Sequence, residues 1–340
     1  MTSAVWPAGK ASGVVRGLRL WASTGVAAAT LVAVVWRLGG GPFRDGLRSV
    51  DAAALAAAAA IGFVTTVCCA WRWTIVARGL GVELRLPAAV AAYYRSLFLN
   101  LTLPGGVVGD VHRGVAHGRD ARNVGGALRA VAWERTGGQG VQLLITVGVL
   151  AALPSPARAY MPVVAMALAA AAIGALLAGR AWPAAGRSRL ARARRAVDGD
   201  LRAILRVRMA LPRIALASAV VVLGHAATLV VAAHAAGSTA PPSQLLPLAL
   251  LAMLAMTLPS AGGWGPREGA TAWVFAAAGL GAGRGVATAV VYGVMVLVAS
   301  LPGAIVLVWS ARPRARPPRE REPARGGCAV GVPGEGASNA

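Results

Sequence analysis

Long apolar stretches, separated by short polar or basic segments, dominate the pattern of this chain. Six of them carry few charges and are long enough to cross about 30 Å of hydrocarbon as helices. Arg72, between two tryptophans near the end of one stretch, is expected to snorkel to the interface. The pattern predicts six transmembrane helices, at Leu20–Trp36, Ala52–Val76, Thr136–Leu153, Pro162–Gly179, Ile214–Ala236 and Val286–Ser310.

Two further apolar segments are interrupted by proline and glycine. Residues 87–115 break at Pro104-Gly105-Gly106, and residues 245–280 break at Pro259 and Gly262-Gly263. Each half is too short to cross the hydrocarbon, and irregular backbone at that depth must be shielded by protein or line a water-filled cavity. We therefore predict an all-α polytopic membrane protein with about six transmembrane helices and two re-entrant broken helices.

Basic residues indicate the orientation of this membrane domain, which we place at residues 20–311. They concentrate in a leader (1–19), in a loop (180–213) and in a Pro- and Gly-rich tail (312–340) that we expect to be disordered. The positive-inside rule puts these segments, and both termini, in the cytoplasm of a bacterial inner (plasma) membrane. The two broken segments then enter from opposite sides, an arrangement typical of inverted repeats in transporters.

Composition excludes several other classes of protein. The chain is 57% hydrophobic and only 14% charged, where soluble domains are about one quarter charged. Its net charge of +22 flanks apolar stretches, so we predict no nucleic-acid partner. Three cysteines at no metal-ligand spacing predict neither a metal nor a cofactor. His225 and His234, nine residues apart in one span, fit packed histidines better than a proton relay.

Charged and amide side chains cluster at the two breaks and where the third span begins. Six unpaired charges at mid-membrane would cost on the order of 15–20 kcal/mol, so we expect them to pair in one wet chamber. The glycine pairs would expose helix N–H groups that, with arginine, suit a lipid phosphate. The predicted substrate-binding set is Asn100, Gly105, Gly106, Asp110, Arg113, Glu134, Arg135, Gly262, Gly263, Arg267 and Glu268. An interfacial position for each charged pair, and for Tyr93, remains open.

These residues resemble the signatures of the lysylphosphatidylglycerol synthase transmembrane-region family. The first signature resembles the run from Asn100 through Pro104-Gly105-Gly106 to Asp110 and Arg113, although Val107-Val108 depart from it. The chain also resembles the later signature elements of the family at Glu134-Arg135, Leu258-Pro259-Ser260, Gly262-Gly263, Gly265, Arg267-Glu268-Gly269 and Gly303. The resemblance covers residues 20–310 and implies a lipid flippase fold with two re-entrant helices.

The resemblance also directs the functional hypotheses. The best-known members carry a cytosolic aminoacyl-transferase domain, and about 30 residues follow the last span here, so we expect no synthase activity. The leading hypothesis is a lipid translocase for an anionic or aminoacylated phospholipid, with membrane lipids as partners. The alternatives are an intramembrane lipid-linked transferase using Asp110, His112 and Glu134, and a non-transporting assembly or sensor protein whose basic loop binds anionic lipid. A homo-oligomer is compatible with each hypothesis.

Overall fold

The computed structural model describes residues 40–103, 106–153, 189–256 and 265–311, together with isolated positions at 32, 36, 166, 170, 173 and 174. These residues contain helices and no strand, which confirms the all-α prediction. In chain order the helices are α1 (Gly41–Arg48), α2 (Ala52–Gly79), α3 (Leu86–Thr102), α4 (Val108–Asp120), α5 (Val124–Ala152), α6 (Arg189–Arg206), α7 (Ala210–Ala235), α8 (Pro242–Ala255), α9 (Pro266–Ala277), α10 (Ala282–Ser300) and α11 (Pro302–Ala311).

Three helical segments are long and apolar enough to cross a membrane. They are α2, α7 and the continuous pair α10–α11 over Ala282–Ser310, which confirms three of the predicted spans. The apolar stretch predicted at Thr136–Leu153 forms the second half of α5, whose first half is charged. The spans predicted at Leu20–Trp36 and Pro162–Gly179 lie almost wholly outside the described residues.

Both interrupted segments form helical hairpins, as predicted. In the first hairpin, α3 packs on α4, and in the second, α8 packs on α9. Their helices have 12 to 17 residues, or about 18–26 Å of rise, too little to cross the hydrocarbon singly. Close packing in the first hairpin requires Gly109, because a Cβ there would lie 2.1 Å from the carbonyl oxygen of Ser96.

The two hairpins enter the helix bundle from opposite ends. Helices α2 and α7 are antiparallel, since Arg72 bonds Ser218 while Thr65 lies against Gly224. Six residues separate the end of α2 from the start of the first hairpin, and six separate the end of α7 from the start of the second. The ends of α2 and α7 lie on opposite sides of the bundle, so the hairpins do too. This opposite entry is the feature on which the inverted-repeat prediction depends.

Small residues let the helices approach closely around the hairpins. A Cβ at Gly303 would lie 2.1 Å from the carbonyl oxygen of Tyr94, so α11 packs directly on the backbone of α3. The basic helix α6 crosses the end of α2, where a Cβ on Gly79 would lie 2.9 Å from the Cα of Ile204. These contacts hold the first hairpin at the same end of the bundle as the basic loop.

Candidate functional site

A cluster of three arginines and two carboxylates lies inside the bundle where α2, α4 and α5 meet. Glu134 of α5 is fully buried and accepts hydrogen bonds from Arg72 Nε at 2.9 Å and from Arg113 Nη2 at 2.7 Å. Tyr93 Oη donates to the same carboxylate at 3.3 Å. Two cations and a phenol therefore compensate a carboxylate that would otherwise be far too costly to bury.

The second carboxylate of the cluster, Asp110, joins the two helices of the first hairpin. It accepts hydrogen bonds from Arg113 Nε at 2.9 Å and from Asn100 Nδ2 at 2.9 Å, and it pairs with Arg135. Asn100 Oδ1 in turn accepts the Gly109 backbone N–H at 2.7 Å. One amide side chain thus bridges the break, and it occupies an N–H group that we expected to face a ligand.

The guanidinium of Arg113 lies against two aromatic rings. Its central carbon lies 4.5 Å from the centre of the Trp73 ring and 4.3 Å from that of Tyr93. Such cation–π contacts gain strength when, as here, the cation is desolvated. The Arg113 side chain is 0% exposed, so the expectation that it binds a lipid phosphate is not supported. Arg113 organises the cluster instead.

Arg72 was expected to snorkel to the interface, and this expectation is wrong. The residue is 5% exposed, is paired with Glu134, and donates to Ser218 Oγ at 2.9 Å. Gly138 leaves room for it, since a Cβ there would lie 2.7 Å from Arg72 Nη1. Buried carboxylate and hydroxyl acceptors satisfy the guanidinium better than an exit to the interface. With Arg72 included, the cluster carries a surplus of one positive charge.

Arg267 and Glu268 form a separate pair at the start of α9. Arg267 Nε donates to Glu268 Oε1 at 2.9 Å, and Oε2 of the same carboxylate accepts the Gly265 N–H at 2.6 Å. Gly265 has a φ of 104°, which suits glycine and turns the chain into the helix. Glu268 therefore caps its own helix, using a backbone donor that we had assigned to phosphate.

The placement of all the predicted residues in one chamber stays a prediction, because, among the described residues, Arg267 and the larger cluster approach each other through other side chains. The Arg267 guanidinium lies 5.7 Å from the Tyr292 ring, and Tyr292 Oη lies 3.2 Å from His225 Nδ1. His225 follows Ser218, the Arg72 partner, by seven residues of α7, or about 10 Å.

A cavity of about 220 Å³ lies beside the larger cluster. Arg72, Tyr93 and Arg135 line one part of it, and Arg135 is the most exposed cation of the cluster, with 40% of its side chain exposed. Gln139 and Gln142, on the same face of α5, continue the polar lining. Apolar side chains of α3, α7 and α10 complete the wall, so the cavity is charged at one end and largely apolar elsewhere.

Several members of this site were not in the predicted set. Arg72, Gln139, Gln142 and His225 line the cavity, and Trp73 lies against Arg113. Tyr93 belongs to the cluster and is buried, which excludes the interfacial reading left open above. A sequence signal existed for Arg72, a lone cation within an apolar run, and for the two glutamines, which are the polar residues of an uncharged span.

Of the four predicted glycines at the two breaks, the structure describes one, Gly106. Gly106 has a φ of 64° and ends the first break in a conformation that favours glycine. Gly105, Gly262 and Gly263 lie outside the described residues. Within the described ranges no three His, Cys, Asp or Glu side chains are grouped as a metal would require.

The chain is similar to a known protein family over most of its length. The family model described as "Lysylphosphatidylglycerol synthase TM region" matches residues 20–303, which is most of the chain. No curated protein and no solved structure matches the chain significantly. The matched range includes both hairpins, the cluster and the cavity lining. The chain therefore belongs to the lysylphosphatidylglycerol synthase transmembrane-region family, and this membership indicates a membrane protein with a lipid-related function.

Proposed function

We propose that this protein is a flippase-like translocase that moves phospholipid headgroups across the plasma membrane. One observation carries the proposal: Arg72 and Arg135, two cations of a cluster with one surplus positive charge, line an interior cavity. An anion that enters the cavity neutralises this surplus, and arginine offers the planar fork that suits phosphate. The headgroup would occupy the cavity while the acyl chains stay in the surrounding lipid.

The arrangement of the hairpins supports a transport cycle. Each hairpin opens toward a different end of the bundle, so movement of one against the other would expose the cavity to each leaflet in turn. Asn100 fixes the first hairpin across its break, and Glu268 fixes the start of α9, which favours rigid-body motion over local unfolding. The sequence contains no G-x-x-x-x-G-K-[ST] motif, so we assign the driving force to the lipid gradient or an ion gradient.

The geometry gives less support to an intramembrane transferase. Asp110 and Glu134 accept hydrogen bonds from arginines, and neither lines the cavity. A general base needs a free lone pair within reach of the substrate proton. We therefore favour transport, and the alternatives are kept as outcomes of the experiment.

Proteoliposomes with an acyl-labelled fluorescent phosphatidylglycerol test the proposal. Dithionite added outside bleaches the outer leaflet, and further loss of signal reports lipid flipped from inside. Arg135→Gln should slow this phase by about tenfold or more, the effect of losing one charge-assisted hydrogen bond. The matched control is Arg129→Gln on the same helix, where the arginine is 50% exposed and bonds Asp200 at 2.8 Å, away from the cavity.

Three results would contradict the proposal. Equal slowing by Arg129→Gln and Arg135→Gln would remove the site assignment. Conversion of labelled donor lipids into a new species by the purified protein would favour the transferase. Flipping no faster than in empty liposomes, by a protein that is folded and oriented in the membrane, would favour an assembly or sensor role.

A further inference from the structure

The cavity contains cations and neutral polar groups but no acid. None of the described residues that line it is Asp or Glu. Asp110 and Glu134, which pair with the lining arginines, do not line the cavity themselves. A headgroup that enters from the membrane therefore meets two arginines of a cluster that carries one surplus positive charge.

The sequence shows that no undescribed membrane residue supplies the missing acid. Nine of the 12 acidic residues of the chain precede residue 312, and all nine lie in the described ranges. Residues 1–39, 104–105, 154–188 and 257–264 contain neither Asp nor Glu. The absence of an acid from the cavity thus holds for the whole membrane domain.

Aromatic ring faces can also bind ammonium groups. In this cavity the available ring already contacts another cation. Tyr93 is the aromatic residue among the described lining, and its ring already faces the Arg113 guanidinium at 4.3 Å. A second cation on this ring would stand next to a buried positive charge with little solvent screening. An amine in the headgroup would therefore find neutral hydrogen-bond acceptors but no anion or free ring face to balance its charge.

Neutral hydrogen-bonding groups continue from the cationic end along one face of α5. Gln139 and Gln142 follow Arg135 by four and seven residues, or about 6 and 10 Å of rise. Gln142 Nε2 is a buried donor with no hydrogen-bond partner among the described residues. An amide both donates and accepts, so it matches a hydroxyl group.

We infer that the substrate is an anionic phosphodiester lipid whose headgroup carries hydroxyl groups and no amine. This inference rests on the proposed function and narrows it. Arg72 and Arg135 would hold the phosphate, and Gln139 and Gln142 would bond hydroxyl groups beyond it. A volume of about 220 Å³ accommodates a phosphate with a small polyol. Phosphatidylglycerol has this chemistry, whereas aminoacylated and ethanolamine lipids do not.

The test compares four lipids in the same proteoliposomes: phosphatidylglycerol, phosphatidic acid, phosphatidylethanolamine and lysylphosphatidylglycerol. The first three carry an acyl-chain fluorophore, and the fourth is followed by an impermeant amine reagent. Phosphatidylglycerol should flip fastest, and both amine lipids should be slower by about tenfold or more because the ammonium meets no counter-charge in the cavity. Phosphatidic acid, which has the phosphate without the polyol, should fall between them.

A pair of variants tests the hydroxyl contact separately. Gln142→Leu should slow phosphatidylglycerol by about threefold to tenfold, the effect of one neutral hydrogen bond, and should slow phosphatidic acid less. The matched control is Gln244→Leu, the same substitution in the first turns of α8, outside the cavity lining. Native mass spectrometry of retained phosphatidylglycerol gives a second readout that does not depend on transport.

The outcomes separate the inference from the proposed function. If the amine lipids flip as fast as phosphatidylglycerol, the inference is wrong while the translocase proposal stands. Equal effects of Gln142→Leu on phosphatidylglycerol and phosphatidic acid would overturn the hydroxyl contact. If none of the four lipids flips faster than in empty liposomes, the proposed function fails, and the inference fails with it.

Discussion

Arg72 and Glu134, which lie 62 positions apart in the sequence, form an ion pair that is almost fully shielded from solvent. The pair ties α2 to α5, and Arg113 approaches the same carboxylate from α4. A buried carboxylate that accepts from two arginines is the centre on which the charge balance of the site depends. We therefore expect the carboxylate and the two arginines to contribute unequally to the stability of the protein.

Removal of the carboxylate should be more harmful than removal of either arginine. Glu134→Gln leaves two buried cations short of an anion, and such uncompensated charge costs about 3–5 kcal/mol. Arg72→Met leaves the Arg113–Glu134 pair intact and should cost less. The thermal unfolding midpoint in detergent measures both variants. An Arg72→Met protein less stable than Glu134→Gln would contradict this account of the cluster.

The aromatic contacts of Arg113 predict a difference between two changes at Tyr93. Tyr93→Phe keeps the ring over the guanidinium and loses a 3.3 Å hydrogen bond, so it should cost about 1 kcal/mol or less. Tyr93→Leu also removes the cation–π contact and leaves a smaller side chain, so it should cost about 2 kcal/mol more. Denaturation of the reconstituted protein compares the two. Equal losses would show that the ring face contributes nothing.

Gly138 offers a way to displace Arg72 without deleting it. A methyl group at this position would lie 2.7 Å from Arg72 Nη1, so Gly138→Ala should move the guanidinium and impair lipid transport. Stability should change little, because alanine gains up to about 1 kcal/mol over glycine in a helix and offsets part of the displacement.

The matched control for this change lies two residues further along α5. Gly140→Ala introduces a methyl group with no atom within 4 Å, so it should leave transport unchanged and raise stability slightly. The flipping assay and the unfolding midpoint are read for both variants. Transport by Gly138→Ala at the rate of Gly140→Ala would show that the position of Arg72 does not matter.

The different arginine partners of the two carboxylates predict independent energetics. Glu134 and Glu268 accept hydrogen bonds from different arginines, so the effects of Glu134→Gln and Glu268→Gln should add within about 0.5 kcal/mol. Unfolding measurements on the two single variants and the double variant form a complete cycle. A coupling energy well above this value would indicate that the groups communicate, as the one-chamber prediction required.

The sequence anticipated the location of the site better than its internal organisation. Asp110, Arg113, Glu134 and Arg135 were recognised because charges near helix breaks in an apolar chain need partners. Which arginine pairs with which carboxylate could not be predicted, because several arginines could reach each carboxylate in any plausible packing of the helices. The position of Glu268 relative to these residues depends on how α7 and α10 pack, which no local sequence pattern determines.

The roles within the site also changed on folding. Arg113 and Arg135 are similar in sequence terms, since each lies near an acidic residue at the edge of an apolar run. Arg113 packs against two rings and is 0% exposed, while Arg135 retains 40% exposure beside the cavity. Only the tertiary contacts distinguish a cation that organises the site from one that can meet a ligand.

The hydrophobic pattern by itself determined that this is a helical membrane protein with two interrupted segments, because apolar length and helix-breaking residues act locally. The sequence also shows which acidic and basic residues the membrane domain contains. The tertiary structure alone decided which charges neutralise each other, that Arg72 turns inward, and that a cavity without carboxylates forms beside them. These features arise from side chains 20 to 150 positions apart, whose distances are set by helix packing.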